Sequence, residues 1–330
     1  MKFSPDERAE LTTPTGGRFQ VQTLTQADEF CRKLAHAHYE NFPVGSVFIP
    51  KRLRRHFYSV YAFARIADDI ADEFGASIDE RCAALDRFEQ LLTDAEQNTG
   101  NPVFTSLYAT MHKCGIPAVP LQRLLVAFRM DSEFHAPRSV ADLERYCSFS
   151  ANPIGELVLR IYGLYTAERA PYSDAICTGL QLVNFWQDIS RDRQHNPASH
   201  KHYRVWLPDD ILVKYGLSAE QFVVSEHRFA DRINAKKLNA CLHELFDITA
   251  SYLERGIFLL SSLPDARLRI ELAFTIAGGM RILHKTRLLG AKIVDERPVL
   301  GFVDTAALCL QTLWILGRSF TQRANNKIER

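Results

Sequence analysis

No two of the seven cysteines in this 330-residue chain form a Cys-x-x-Cys pair, and their number is odd. Cysteines at 31, 82, 114, 147, 177, 241 and 309 therefore argue against a disulfide framework or a zinc site, and for reduced thiols in a cytoplasmic setting. An excess of charge is missing too. The 40 Lys and Arg against 39 Asp and Glu leave a net charge of +1, so no overall field draws the chain to nucleic acid. Glycine and proline are scarce, 16 and 14, which favours long helices over many turns. Long apolar runs are absent as well. The most apolar tail segment, Phe302 to Gly317, is interrupted by Asp304, Thr305, Gln311 and Thr312. It falls short of the ~20 residues that cross a bilayer. It reads as a helix packed on the core, with peripheral contact at the inner face of the membrane as the second reading. The first residues, MKFSPDERAELTTPTGG, carry no apolar h-region, so no secretory signal is expected.

What is present is helical spacing. Hydrophobic residues make up 46% of the chain, enough for a sizeable core. Leu53, Phe57, Val60, Tyr61 and Ala64 follow one helical stripe; Leu121, Leu124, Leu125 and Phe128 follow another; Leu272, Ile276, Met280 and Leu283 a third. Breakers such as Gly100-Asn101-Pro102, Gly115-Ile116-Pro117 and Leu263-Pro264 fall between such stretches, and Ser139 and Ser218 are cap candidates. No alternating strand pattern or solenoid repeat stands out. The fold class expected is all-α: a loose polar arm over residues 1–24 and a single helical domain over 25–330.

Two segments carry chemistry. In the first, Tyr61 to Glu73, a helix at about 100° per residue puts Arg65 at roughly +40°, Asp68 at roughly −20° and Asp72 at roughly +20° from Tyr61. Asp69 lies further round, at about +80°. Like charges at i, i+4 repel in an isolated helix, so Asp68 and Asp72 on one stripe call for a counter-charge, and a hard divalent cation supplies it. Taken alone, such a pair is more often a solvated acidic face. The second segment, Gln181 to Asp192, changes that balance. Asn184, Asp188 and Asp192 at i, i+4, i+8 drift only ~80° and share a face with Gln181. Asp192 falls at the helix end where the dipole disfavours an anion, so a bound cation explains it better. Mg²⁺ suits these oxygen donors, because it takes few protein carboxylates and completes its shell with water and phosphate. Arg65 lies on the first stripe, and Arg191, Arg193, His200, Lys201, His202 and Arg204 follow the second, as a bridging diphosphate would require.

These residues resemble the squalene/phytoene synthase family. The similarity runs from about His38 to Arg297 and is carried by both aspartate motifs. Tyr61-Ala-Phe-Ala-Arg65, Gln181-Leu-Val-Asn184, Tyr146-Cys-Ser-Phe-Ser-Ala-Asn-Pro-Ile-Gly155-Glu156 and Arg204-Val-Trp-Leu-Pro208 add to it. The resemblance implies an isoprenoid-synthase helical bundle with a central active-site cavity, and up to three substrate-bridged Mg²⁺ ions between the motifs. It assigns metal ligation to Asp68, Asp72, Asn184, Asp188 and Asp192. Diphosphate binding falls to Arg65, Arg297, Tyr61, Arg204 and Asn41, and pocket chemistry to Tyr146, Gln181 and Asn41.

One departure narrows the branch. Where many members have a small hydroxyl residue, this chain has His38-Tyr39-Glu40-Asn41-Phe42-Pro43-Val44, with Asn41 in the serine's place, and Met280 stands where tyrosine is frequent. The Glu-Asn-Phe-Pro-Val string is similar to the bacterial hopanoid-pathway branch, the hydroxysqualene synthases. The resemblance implies conversion of presqualene diphosphate and water to hydroxysqualene with release of diphosphate, and no NADPH is expected. The partners implied are a prenyl diphosphate with long apolar tails and the enzymes that make presqualene diphosphate and reduce hydroxysqualene; nucleic acid is not among them. The alternatives are a head-to-head prenyl diphosphate condensing enzyme and a catalytically silent helical binding relative.

Overall fold

The computed structural model describes residues 3–37, 49–72, 77–94, 98–192, 204–222 and 234–328. Every regular element among them is helical. The contacts group the chain into two compact units, one of residues 1–133 and 156–165, the other of residues 134–155 and 166–330.

The first unit holds α1 (Pro5–Leu11), α2 (Leu24–Ala37), α3 (Lys51–Ala71), α4 (Ile78–Thr93), α5 (Pro102–Cys114) and α6 (Val119–Ser132). The predicted stripe Leu53, Phe57, Val60 and Tyr61 is buried, and α3 packs against α2, α4, α5 and α6. Phe63 meets Phe88 of α4 at 5.2 Å between ring centroids, and Phe88 meets Phe104 of α5 at 4.8 Å. With its apolar flank so occupied, α3 presents Arg65, Asp68 and Asp69 on the flank left over.

The N-terminal segment is not a loose arm over its described part. Ser4 and Glu7 form a capping box on α1, and Leu11 is fully buried. The strap is Asn101. Its Oδ1 accepts from the N–H groups of Val103 and Phe104 at 3.0 and 3.3 Å, capping α5. Its Nδ2 donates to the carbonyls of Leu11 and Thr13 at 2.8 and 2.9 Å. A residue read as a helix breaker therefore also holds the chain start, because a buried carboxamide must satisfy both of its ends.

The second unit holds α7 (Val140–Ser150), α9 (Ala170–Asp192), α10 (Asp209–Lys214), α11 (Ala235–Ser262), α12 (Ala266–Leu289) and α13 (Asp304–Ile328); the boundary between the units falls within α8 (Asn152–Ile161). Ser139 caps α7 as expected, whereas Ser218 precedes only a 3₁₀ turn over Ala219–Phe222. Helix α9 lies hard against α11 through glycine: a Cβ on Gly256 would come within 2.4 Å of Ile176 Cγ1 and 3.2 Å of its backbone nitrogen. Trp186 Nε1 donates to Thr249 Oγ1 across the same seam at 2.8 Å.

Helix α13 is pinned at its start. Asp304 is fully buried and accepts from Gly301 N–H at 2.8 Å and from Lys285 Nζ and Arg281 Nε at 2.7 Å each. The Gly301 N–H, the Lys285 ammonium and the Arg281 guanidinium hold this carboxyl far below the usual carboxylate range. A depressed folded-state pKa contributes stability above the unfolded value, about 4, and loses it as the pH falls below that. Asp304→Asn is therefore expected to lower the melting temperature at pH 7. The gap to the wild type should close on acidification below about pH 4. A gap that stays constant from pH 7 to pH 3 would show that the carboxylate charge contributes nothing.

Candidate functional site

The two aspartate motifs lie in different units. On α3, Arg65 Nη2 reaches Asp69 Oδ1 at 2.5 Å and Nη1 reaches Asp68 Oδ2 at 3.4 Å. The wheel put Arg65 on one stripe with Asp68 and Asp72 and left Asp69 further round, but Asp69 is the tighter partner. Asp69 sits at i+4 from Arg65 and is the more buried of the two acids, which strengthens the pair. Asp69 thus positions Arg65, a role the motif alone did not single out; its i, i+4 spacing was the available signal. Arg65 Nε is buried without a hydrogen-bond partner among the described residues, so the guanidinium keeps donor capacity. Asp72 is exposed and ends the helix, its N–H still bonded to the Asp68 carbonyl at 2.9 Å. Tyr61 is buried one turn before Arg65, and burial pushes its hydroxyl pKa up.

On α9 the division of faces follows the sequence. Leu182, Val183, Phe185, Trp186, Ile189 and Ser190 are buried; Asn184 is exposed, and Gln181, Asp188 and Asp192 are half-buried. Arg297 Nε donates to Asp188 Oδ1 at 2.5 Å, and Gln187 Nε2 donates to the Pro298 carbonyl at 2.8 Å. Two consecutive residues of α9 therefore fasten two consecutive residues from 109 and 111 positions later. The structure brings Arg297 to the expected ligand Asp188. At the helix end, Arg204 N–H donates to the Asp192 carbonyl at 2.9 Å, satisfying one of the last open acceptors of α9.

Next to this ionic edge stands an aromatic wall. Trp206 stacks on Phe185 with ring centroids 4.1 Å apart and planes at 15°. Tyr146 leans on Trp206 at 4.7 Å and on Phe185 at 5.8 Å, and Phe134 meets Trp206 edge-on at 4.9 Å. A small pocket is lined by Phe185, Ile189, Asp192, Arg204, Trp206 and Phe222. Trp206 was visible in the sequence only as part of the Arg204–Pro208 string; its stack on Phe185 is a tertiary fact. Cys147 and Cys177 lie in the same unit, and burial pushes both thiols up to about 12, which leaves neither as a nucleophile. All seven cysteines are free thiols.

The sequence profile of the squalene/phytoene synthase family matches residues 35–303. The chain belongs to that family. Among curated relatives, a hydroxysqualene synthase of Rhodopseudomonas palustris is 33% identical over 263 residues, covering 79% of this chain and 84% of that protein. One from Zymomonas mobilis is 32% identical over 236 residues, covering 71% and 74%. Among solved structures, the squalene synthase HpnC of Alicyclobacillus acidocaldarius superposes with a TM-score of 0.72 at 36% identity, over 86% of this chain and 98% of that one. The all-α isoprenoid-synthase fold follows from these matches, as the motif resemblance implied.

For this family member, the metal question turns on donor chemistry. Asp68, Asp72, Asn184, Asp188 and Asp192 offer oxygen donors, which suit Mg²⁺. Among the described residues, no three of His, Cys, Asp or Glu converge into a ready-made cage. A hard cation held by the oxygen donors of either motif would complete its shell from water and phosphate oxygens. Asn41 and the His38–Val44 string, with Arg193, His200, Lys201 and His202, lie outside the described residues.

Proposed function

We propose that this protein is an isoprenoid synthase that converts presqualene diphosphate and water to hydroxysqualene and diphosphate, with Mg²⁺ as cofactor and without NADPH. One observation carries the reading. Within a single unit, the Asp188–Arg297 pair lies one helical turn from Phe185, the base of the Trp206–Tyr146 aromatic wall. A carboxylate for the metal and a guanidinium for phosphate, set beside an aromatic surface, are what a substrate needs if it departs as diphosphate and leaves a carbocation. The relatives named hydroxysqualene synthase support the same reaction at about a third identity.

The motif resemblance assigns Asp68, Asp72, Asn184, Asp188 and Asp192 to Mg²⁺, which when bound would offset the negative charge that grows on the leaving diphosphate. The chain's own groups do the rest. The Arg297 guanidinium, aimed by Asp188, and the Arg65 guanidinium, aimed by Asp69, grip phosphate oxygens with planar forks that an ammonium cannot copy. Arg204 lies beside the end of α9 and Tyr61 one turn from Arg65, and the motif resemblance assigns both to diphosphate. The carbon–oxygen bond breaks with its electron pair on diphosphate. The aromatic faces then lie against the rearranging cation, where ring quadrupoles stabilise positive charge. Water adds through oxygen to the cation and loses one proton, completing the alcohol. Tyr146, Gln181 and Asn41 are the polar groups assigned to hold that water, with Asn41 preferred because it stands where many family members have a serine, and its amide both donates and accepts.

The purified protein given presqualene diphosphate and Mg²⁺ in oxygen-18 water, without NADPH, is expected to yield hydroxysqualene carrying one heavy oxygen. Squalene-length hydrocarbon without label, or turnover of farnesyl or geranylgeranyl diphosphate instead, would replace this reading with head-to-head condensation. No product from any of the three would favour a silent binding relative. The enzymes that supply presqualene diphosphate and reduce hydroxysqualene are the expected pathway neighbours.

A further inference from the structure

Helix α13 is apolar on two opposite sides, and only one of them is covered. Leu308, Thr312, Ile315 and Ser319 form the buried stripe, and α13 packs on α12 and α11. On the other side, Leu310 is 69% exposed and Trp314 54%, with Leu313 and Phe320 exposed beside them. The loop before the helix continues the surface, with Phe302 94% exposed next to exposed Val303. A helix apolar all round is ordinarily buried, and a monomer rarely leaves so continuous an apolar face in water. No described helix is long and apolar enough to cross a membrane. The family match ends at residue 303, so α13 lies beyond the matched segment while the loop before it lies within.

The charges around the face select its occupant. The Arg318 guanidinium lies over the Trp314 ring at 5.4 Å, and that of Arg269 over the Phe320 ring at 5.2 Å. From Thr305 to Ile328 the helix contains no acidic residue. Two-fold pairing with a second copy would set the same arginine fringe against itself, since such an interface is self-complementary. Anionic lipid offers the matching chemistry: phosphates for the guanidiniums, and the headgroup–acyl boundary for Trp, Phe and Leu.

We propose that the outer face of α13, together with the loop of residues 299–303, docks this protein on an anionic membrane surface, with the helix lying in the interface. The loop follows directly on Arg297 and Pro298, which are fastened to Asp188 and Gln187. Docking would therefore hold the polar edge of α9 next to the lipid boundary. The docking itself does not depend on which reaction the site performs.

Tryptophan emission provides a direct test. Of the three tryptophans, Trp186 and Trp206 are 1% and 8% exposed, so a shift caused by lipid reports Trp314. The full-length protein is mixed with vesicles of phosphatidylcholine alone, or of phosphatidylcholine with phosphatidylglycerol, and followed by flotation and fluorescence. Flotation with the mixed vesicles, a blue shift of emission and weakening of both at high salt are expected. The double variant Leu310→Ser, Leu313→Ser should bind these vesicles at least about tenfold more weakly, because two apolar side chains no longer leave water. Its circular dichroism and melting curve establish that it folds. Absence of flotation with the mixed vesicles overturns the proposal, and so does undiminished binding of the double variant. Equal binding to phosphatidylcholine alone overturns the anionic assignment. A dimer by sedimentation velocity that the double variant converts to monomer would show that a second copy covers the face instead.

Discussion

Asp188→Ala is expected to lower turnover by on the order of 10³-fold while leaving the helical fold intact. The carboxylate is half-buried on the polar edge of α9, opposite the packed side that carries Leu182, Val183 and Trp186, so its removal opens no core cavity. Among the described residues it pairs with Arg297, and the segment holding Arg297 keeps a second tie, Gln187 to the Pro298 carbonyl. What is lost is an oxygen donor for Mg²⁺ and the anchor that aims a guanidinium. Asp188→Asn separates these: it keeps shape and one oxygen but removes the charge. Both variants should show wild-type circular dichroism, and neither should recover at saturating Mg²⁺. Asp68→Ala should behave alike, because Arg65 keeps its tighter partner Asp69. Wild-type kinetics in Asp188→Ala would remove the metal-ligand reading of α9.

Trp186→Ala carries the largest expected loss of stability, about 3–5 kcal/mol. The indole is 1% exposed and lies on the seam where Gly256 lets α11 approach α9. Truncation leaves a void that the seam is ill placed to close, since Gly179 against Leu253 and Gly256 against Ile176 already bring the two helices close along it. It also removes the bond from Nε1 to Thr249 Oγ1, which itself donates to the Leu245 carbonyl. Trp186→Phe should cost less, because much of the volume remains and Thr249 keeps one bond. Urea unfolding monitored by circular dichroism measures both. A loss below about 1 kcal/mol for the alanine variant would mean that α9 and α11 repack freely. Such repacking would also undermine the claim that this seam fixes the polar edge of α9.

Helix existence, and the faces of α3 and α9, were legible from spacing alone. Period 3.6 decides which residues share a side, and burial follows that period: Leu182, Val183 and Trp186 turn inward while Asn184 turns outward. The family was legible for a related reason, since a motif is a set of side chains at fixed helical spacing and survives without coordinates. Partners distant in sequence were not legible. Nothing in the chain says that Arg297 meets Asp188, that Gln187 holds Pro298, or that Trp206 stacks on Phe185, because each depends on how separate elements pack. The polar first residues read as a loose arm because composition does not reveal Asn101, whose carboxamide joins Leu11 and Thr13 to the cap of α5. The apolar tail read as core, yet half of it faces outward. Hydrophobic pattern gives the number of apolar sides a helix has, and only the tertiary structure decides how many of them the rest of the chain can cover.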